Sequence, residues 1–188
     1  MVRRRVPPPR ERAGEPRLRE GTVSDVAFVR ALSDVVFDQF GDYGDFLPTY
    51  LEHDSVFTVI AEKTDGTAVG FLMLALVTSS RVLPWERDAP EDDDSVPHAL
   101  DAEILAIAVQ PEHQSRGCGR RLIEYAVTCA KGWHTTLGVR SLQLNVAHTN
   151  RQAKGFFEHM GFREVDPFDG VYPRGQRSIR MAVELGSA

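Results

Sequence analysis

Apolar residues recur along this chain with two spacings, one typical of strands and one typical of helices. Short runs that are apolar and β-branched, or that alternate apolar with polar positions, predict strands. These runs lie at residues 17–23, 56–62, 68–77, 102–109, 141–147, 162–165 and 178–185. Thr64-Asp65-Gly66 separates the second run from the third and predicts a hairpin turn between them.

Helices are predicted where apolar residues recur every three or four positions. The first begins with Ser24 as its N-cap and Asp25 in its first turn, and it ends at Gly41 and Gly44. Its predicted inward positions are Phe28, Leu32, Val35 and Val36. A second, short helix is predicted at residues 46–52.

The two helices in the C-terminal half carry clearer start and stop signals. One is predicted from about Gly117 to Lys131, with Gly132 as its stop. Its inward positions are Leu122, Ile123, Ala126, Cys129 and Ala130. The other begins at an Asn150 N-cap and closes with Gly161-Phe162 in a Schellman motif. Its inward positions are Ala153, Phe156, Phe157 and Met160.

The predicted order of elements is β-α-β-β-β-α-β-α-β-β, with hairpins at both ends and a βαβ unit at the centre. This order predicts one α/β domain over residues 17–188, with a mixed, mostly antiparallel sheet flanked by helices. A turn-rich linker with prolines and glycines at residues 167–175 is predicted between the last two strands. Residues 1–16 are rich in Arg and Pro and predict a disordered tail. Residues 78–100, with an acidic run at 86–94, predict a long polar insertion.

Composition excludes several classes of protein. The formal net charge of −5 argues against a general nucleic-acid binder. The arginines of the tail are the feature that favours that class, and a solvated tail is the alternative explanation for them. No apolar run approaches the roughly 20 residues that cross a bilayer, so no membrane partner is predicted. Two cysteines fit a reducing, cytoplasmic compartment. The six histidines lack the spacing of metal ligands, so no metal is predicted.

The stretch from Ala102 to Tyr125 combines the features of a phosphate site with a carboxylate. A glycine-punctuated turn, Gln114-Ser-Arg-Gly-Cys-Gly119, joins an apolar strand to a helix. Gly117 and Gly119 allow successive backbone N–H groups to face one point, beside the positive end of the helix dipole. The cations of this stretch are Arg116, Arg120 and Arg121. The turn matches neither a P-loop nor a dinucleotide fingerprint, and a turn before a helix also needs no ligand at all.

The same turn resembles the acyl-CoA motif of the GNAT acetyltransferase superfamily. The matching residues are Gln114, Gly117 and Gly119, with Val109-Gln110-Pro111 before them and Asn150, Ala153 and Gly161-Phe162 after them. The order of elements is similar from Arg17 to about Leu185, so the resemblance covers nearly the whole chain. It implies a GNAT-like fold, acetyl-CoA as cosubstrate and transfer of the acetyl group to a primary amine in a ternary complex.

The resemblance also implies where acetyl-CoA would be held. The implied contacts are Ile107, Ala108, Val109, Gln114, Ser115, Arg116, Gly117, Cys118, Gly119, Arg120, Asn150 and Phe157. Backbone groups of Ile107 and Val109 would pair with the pantetheine arm, and the Val109 N–H would also hold the oxyanion. Amides of residues 114–120 would hold the pyrophosphate. Asn150 would lie where two parallel strands separate, and Lys154 is a candidate for a terminal phosphate.

Glu103 is the candidate general base. Strand alternation puts it on one face with Leu105, Ile107 and Val109. An alkyl ammonium has a pKa of about 10.4, so transfer to an amine needs a base within reach. Some GNAT enzymes place a glutamate at the matching strand position. A salt bridge or solvent at the start of the strand is the alternative for Glu103.

The family's general acid is absent at its usual position. The family has Tyr four residues after the Ala of the Asn-x-x-Ala motif, and this chain has Phe157 there. A thiol has a pKa of about 8.5, so a thiolate leaves without much help. Tyr125, Tyr172 or a water are the alternative donors. A non-catalytic acyl-CoA-binding module is therefore the rival to an acetyltransferase.

The acceptor is the least determined part of the prediction. His98, Asp101 and His148 are candidates to bind or deprotonate it, although each histidine is more often a surface residue. Cys118, beside a helix N-terminus, is a candidate nucleophile, although a residue at this position of the motif more often packs under the loop. The acidic run at residues 86–94 favours a cationic small-molecule or peptide amine, or is a solvated loop. By analogy with the superfamily, residues 37–52 and 78–100 would build its pocket. The protein is expected to be a monomer or a homodimer.

Overall fold

The computed structural model describes residues 15–79 and 99–186. Most of the predicted tail, most of the polar insertion with its acidic run, and the candidate His98 therefore lie outside the described residues. None of the helices within the described ranges is long and apolar enough to cross a membrane.

Strands and helices alternate along the chain much as predicted. The strands are β1 (Arg17–Glu20), β2 (Val56–Glu62), β3 (Ala68–Ser79), β4 (Ala99–Val109), β5 (Ser141–Ala147), β6 (Arg163–Val171) and β7 (Arg177–Glu184). The α-helices are α1 (Val26–Val36), α2 (Tyr43–Phe46), α3 (Cys118–Leu137) and α4 (Arg151–His159). Short 3₁₀ turns lie at Val23–Asp25, Leu47–Glu52 and Pro111–His113.

The seven strands form one sheet in the order β1-β2-β3-β4-β5-β7-β6. Among the strands of the described residues, only β4 and β5 pair in parallel, because α3 carries the chain from one to the other; the other pairs are antiparallel. The predicted mixed, mostly antiparallel sheet with a central βαβ unit is thus confirmed. The predicted hairpin turn is also present, with Gly66 at a φ of +83°.

Each face of the sheet carries its own apolar core. On one face α3 packs through its predicted inward positions, all of them buried, and α4 adds Phe157. On the other face Val29 and Leu32 of α1 pack on Phe71 and Met73 of β3. The predicted inward position Val35 is wrong, since its side chain is 63% exposed.

Helix ends differ from the prediction where a glycine or a cap was misassigned. Gly132 lies inside α3, which continues to Leu137 and ends at Gly138 with a φ of +71°. A left-handed residue, and not glycine as such, ends a helix. Helix α1 ends at Val36, well before Gly41. Thr22, and not Ser24, opens the preceding 3₁₀ turn, and its N–H donates to Asp25 Oδ2 at 2.9 Å.

The predicted ends of α4 are confirmed. The Asn150 side chain accepts from the Ala153 N–H at 3.1 Å. The Phe162 N–H donates to the Phe157 carbonyl and the Gly161 N–H to the Glu158 carbonyl, both at 3.0 Å, which is the Schellman pattern.

The predicted linker after α4 is mostly strand. Pro167 and Gly170 lie within β6, where the register with β7 shifts twice, and only residues 172–176 form a turn. The sheet edge explains this, because an edge strand tolerates a residue without an N–H and local bulges.

Candidate active site

The candidate site begins where the two parallel strands separate. β4 and β5 pair only from Ala102 to Ile104 and from Leu142 to Leu144. Beyond those pairs β4 continues to Val109 and β5 to Ala147 without pairing to each other. The backbone edges of both strands therefore border an open gap.

A cleft of about 740 Å³ occupies this gap, within the usual size range of small-molecule sites. The sequence-predicted residues on its wall are Glu103, Ile107, Ala108, Val109, Gln114, Ser115, Gly117, Gly119, Arg120, Asn150 and Phe157. The structure thus brings together residues that lie more than 50 positions apart in the chain. Arg116 and Cys118 are not on the wall.

A β-bulge in β4 changes which residues share a face with Glu103. Met73 lies opposite Ala106 while the next residue, Leu74, lies opposite Ile104, so Leu105 is an extra residue. The prediction that Ile107 and Val109 share a face with Glu103 and Leu105 is therefore wrong. Ile107 and Val109 belong to the α3 side of the sheet, whereas Ala106 and Ala108 belong to the α1 side. Strict alternation fails because one residue is inserted.

Glu103 lies on the α1 side at the point of separation. Its side chain is 19% exposed and lines the cleft. Its Oε1 lies 3.8 Å from Nη2 of Arg180 on β7, and the same guanidinium donates to Asp169 Oδ2 of β6 at 2.8 Å. Arg180 also donates to Gln143 Oε1 at 2.8 Å. The Glu103 carboxylate is thus largely shielded from solvent and lies beside a cation. This position fits both a general base at the cleft and the alternative of a carboxylate in a salt bridge.

The backbone of β4 leaves hydrogen-bonding groups directed at the gap. The Gln110 N–H donates to the Val69 carbonyl of β3 at 2.9 Å. Because backbone groups alternate between the two edges of a strand, the groups of Val109 and Ile107 face the β5 side. The Val109 carbonyl accepts from Gln114 Nε2 at 3.0 Å.

At the far end of the cleft the chain turns into α3 with an unusual backbone. Ser115 has a φ of +57° and Gly117 a φ of +86°, so consecutive peptide units change direction before the helix begins. A Cβ added to Gly119 would lie 3.5 Å from the Phe156 ring, within the cleft wall. Backbone N–H groups and the α3 dipole therefore converge where Arg120 adds a positive charge.

Cys118 packs beneath this turn and not into the cleft. Its side chain is 2% exposed, and a Cβ on Gly70 would lie 3.4 Å from its Sγ. Burial raises the pKa of the Cys118 thiol to about 11. The candidate nucleophile therefore has the opposite pKa shift to the one expected from the helix N-terminus. Arg116 is exposed to solvent beside the turn.

Three polar candidates have structural partners away from the cleft. Asp101 is fully buried and accepts from Arg140 and Ser141, each at 2.9 Å. His148 is exposed, with Nδ1 at 3.2 Å from the Arg177 carbonyl. Lys154 Nζ lies 2.7 Å from Glu164 Oε2. None of the three lines the cleft.

The candidate proton donors differ in whether they line the cleft. Tyr125 is 8% exposed in the α3 core, and burial raises its pKa well above the ordinary range. Tyr172 lines the cleft, and burial raises its pKa to about 12. Phe157 lines the cleft and packs on the rings of Phe156 and Phe162.

A roof closes the α1 side of the cleft. It consists of residues 37–43, which follow α1, and the β6–β7 turn at residues 172–176. The Arg174 N–H donates to the Phe40 carbonyl at 3.2 Å, and the Phe40 and Tyr172 rings are 5.3 Å apart. The Arg174 guanidinium pairs with Asp38 at 3.1 Å and Asp42 at 3.0 Å. Two segments far apart in the sequence thus cover the cleft on its α1 side.

Sequence reasoning missed Arg180 and Asp169. The alternation of Ser178, Arg180 and Ala182 in the sequence indicates that these residues share one face of β7. It does not indicate that this face lies near Glu103, with β5 between the two strands. That proximity depends on the strand order, which places β7 and not β6 beside β5.

A crevice at a separated parallel pair, with a helix N-terminus at one end, is characteristic of cofactor-binding α/β proteins. Residues 26–162 match the Acetyltransferase (GNAT) family, and the chain belongs to that family.

Comparison with individual proteins agrees with this assignment. The chain is similar to the [ribosomal protein bS18]-alanine N-acetyltransferase of Salmonella typhimurium (36% identical over 76 residues) and to the peptidyl-lysine N-acetyltransferase YjaB of that species (36% over 73). The matches cover 40% and 36% of this chain, and 49% and 44% of those proteins, so the chain spans about half the length of the curated relatives it matches. The fold is shared with Arabidopsis thaliana NAA60 in complex with acetyl-CoA, with a TM-score of 0.71 and 18% identity over 92% of this chain and 99% of that one.

Proposed function

We propose that this protein is an N-acetyltransferase that moves the acetyl group of acetyl-CoA to a primary amine. The observation that carries the proposal is the cleft between β4 and β5, which has Glu103 at one end and the turn into α3 at the other. The family assignment and the names of the similar proteins support the same reaction.

The cleft residues fit acetyl-CoA. Residues 114–120 would hold the pyrophosphate through backbone N–H groups, and the Val109 and Ile107 backbone would pair with the pantetheine arm. The absence of a Cβ at Gly119 keeps the wall open beside Phe156. When bound, acetyl-CoA supplies the activated acyl group as a thioester. The Val109 N–H would donate to its carbonyl oxygen, and one such donor is worth about 3 kcal/mol.

Glu103 is proposed to take the proton from the acceptor amine. It lines the cleft beside β4, and the Arg180 guanidinium stabilises its charged, proton-accepting form. A positioned base contributes about 100-fold or more in rate.

Two measurements test the proposal. Acetyl-CoA at about 100 times its dissociation constant should stabilise the protein by roughly 2.7 kcal/mol, seen as a raised melting temperature. Free thiol release should then be followed with spermidine, a peptide with a free N-terminal alanine, and a peptide with an internal lysine. No stabilisation at millimolar acetyl-CoA would refute cofactor binding.

The role of Glu103 is tested by substitution with a matched control. Glu103→Gln should lower kcat about 100-fold and remove the acidic limb of the pH–rate profile. Glu184→Gln, at an exposed glutamate near the end of β7, should change neither. An unchanged profile in Glu103→Gln would exclude this residue as the base.

The rival function is a non-catalytic acyl-CoA-binding module, and Phe157 is the observation that favours it. Thermal stabilisation by acetyl-CoA without thiol release for any amine would support the module.

A further inference from the structure

We propose that Arg180 is a positioning residue that holds the Glu103 carboxylate ionised at the cleft, and that Asp169 limits how strongly it does so. The catalytic consequence rests on the proposed role of Glu103 as the base.

Arg180 is held in one orientation by hydrogen bonds to two acceptors and by an ion-pair contact to Glu103. Its Nε and Nη2 donate to Asp169 Oδ2 at 3.0 and 2.8 Å. Its Nη1 donates to Gln143 Oε1 at 2.8 Å, and Nη2 lies 3.8 Å from Glu103 Oε1. The side chain is only 13% exposed. Because the guanidinium is planar, these contacts fix the plane in which Arg180 meets Glu103.

Gln143, which accepts from Arg180, is itself held by a hydrogen bond, so its contact restrains the Arg180 side chain. Gln143 Nε2 donates to Ser141 Oγ at 2.9 Å, and Ser141 Oγ donates to Asp101 at 2.9 Å. Asp101 also accepts from Arg140 at 2.9 Å. A series of hydrogen bonds thus links Asp101, Ser141, Gln143 and Arg180, and the 3.8 Å ion-pair contact joins Arg180 to Glu103. This gives the buried Asp101, which does not reach the cleft, a part in orienting the site.

The charges around Glu103 are unequal. Arg180 is one cation between two carboxylates, and the tighter contact is to Asp169, whose side chain is 3% exposed. Among the described residues, the other ionisable groups near this contact include Asp166, opposite Arg180 in the β6–β7 register, Tyr172 and Tyr43 on the cleft wall, and Asp101, which is paired with Arg140. Because Asp169 offsets part of the positive charge of Arg180, the guanidinium stabilises the ionised form of Glu103 only in part. Glu103 therefore stays ionised and can still accept a proton.

Two substitutions should move the acidic limb of kcat/KM against pH in opposite directions. Arg180→Met removes the cation and keeps an apolar stem, so the limb should move to higher pH by about one unit. Asp169→Asn removes the competing carboxylate, so the limb should move to lower pH. A merely structural role predicts lower activity without opposite displacements. Arg163→Met, at an exposed arginine on β6, is the matched control and should not move the limb.

A second readout does not depend on activity. The carboxyl ¹³C signal of Glu103, assigned by its loss in Glu103→Gln, should titrate at higher pH in Arg180→Met and at lower pH in Asp169→Asn. If the signal moves but the rate profile does not, the contact stands and the base assignment fails. If neither moves, the proposal is overturned. If Arg180→Met does not fold, Asp169→Asn can be added to it, because this change removes the carboxylate that has lost its cation. The midpoint of the Glu103 titration in the double variant should still lie above that of the wild type.

Discussion

The ion-pair cluster of Arg19, Asp25 and Glu62 joins β1, the first 3₁₀ turn and β2, and its carboxylates are nearly buried. Arg19 donates to Asp25 at 2.7 and 2.8 Å and also contacts Glu62. The Asp25 and Glu62 side chains are only 7% and 11% exposed. The hydrogen bonds from Arg19 lower the pKa of Asp25. Removing the cation would leave two poorly hydrated carboxylates side by side.

Arg19→Met is expected to lower the free energy of unfolding by about 3 kcal/mol. This is the lower end of the range for breaking a buried pair, because the Arg19 side chain is 34% exposed and water can reach part of the gap. For a chain of this length the loss corresponds to about 6–12 °C in Tm. Arg30→Met is the matched control, since the Arg30–Asp45 contact is 2.8 Å but its side chains are 48% and 81% exposed. It should cost less than about 1 kcal/mol.

Urea unfolding at pH 7, followed by tryptophan fluorescence, measures both variants. Adding Asp25→Asn and Glu62→Gln to Arg19→Met should recover most of the loss, because no uncompensated charge remains. The contribution of Asp25 is fully present above its ordinary pKa of 3.8 and is lost as the pH falls through the lower folded-state value. The reasoning is refuted if Arg19→Met costs no more than Arg30→Met.

Three further outcomes are expected. Gly132→Ala should stabilise the protein by about 0.5–1 kcal/mol, because it lies inside α3 with open space at its Cβ, whereas Gly138→Ala should destabilise it by about 1–2 kcal/mol, because its φ is +71°; equal signs in urea unfolding would contradict this. With pKa values of about 11 and 12, Cys118 and Cys129 should resist thiol reagents at pH 8 until the protein is denatured, and rapid labelling of the native protein would contradict the burial. Tyr172→Phe should change kcat less than about threefold if thiolate departure needs no donor, while a loss of about 100-fold would identify Tyr172 as the acid.

Local signals predicted the elements that depend on neighbouring residues. The hairpin turn at Gly66, the Asn150 cap and the Schellman motif at Gly161 each involve a few consecutive positions, and each is present. The wrong helix stop at Gly132 shows the limit of such signals. Composition alone does not reveal whether a glycine adopts a left-handed φ, and Trp133 packing against the core carries the helix past it.

The glycine turn at one end of the cleft could be predicted because its residues are consecutive. The turn from Gln114 to Arg120 carries its own glycines and precedes its own helix, and the structure brings it to the cleft, with Cys118 packed beneath. The surroundings of Glu103 could not be predicted. The bulge at Leu105 changes the face of every later residue in β4, and it is set by pairing with β3. Arg180 reaches Glu103 only because β7 inserts between β5 and β6.

By itself, therefore, the sequence determined the order of strands and helices, the family resemblance and the position of the glycine turn, because each depends on short-range pattern. The tertiary structure alone decided which side chains share the face of Glu103, that Asp101 is buried, and that residues 37–43 and 172–176 close over the cleft. The physical reason is that strand register and order are set by long-range pairing and packing, which place residues from three other strands around one carboxylate of β4.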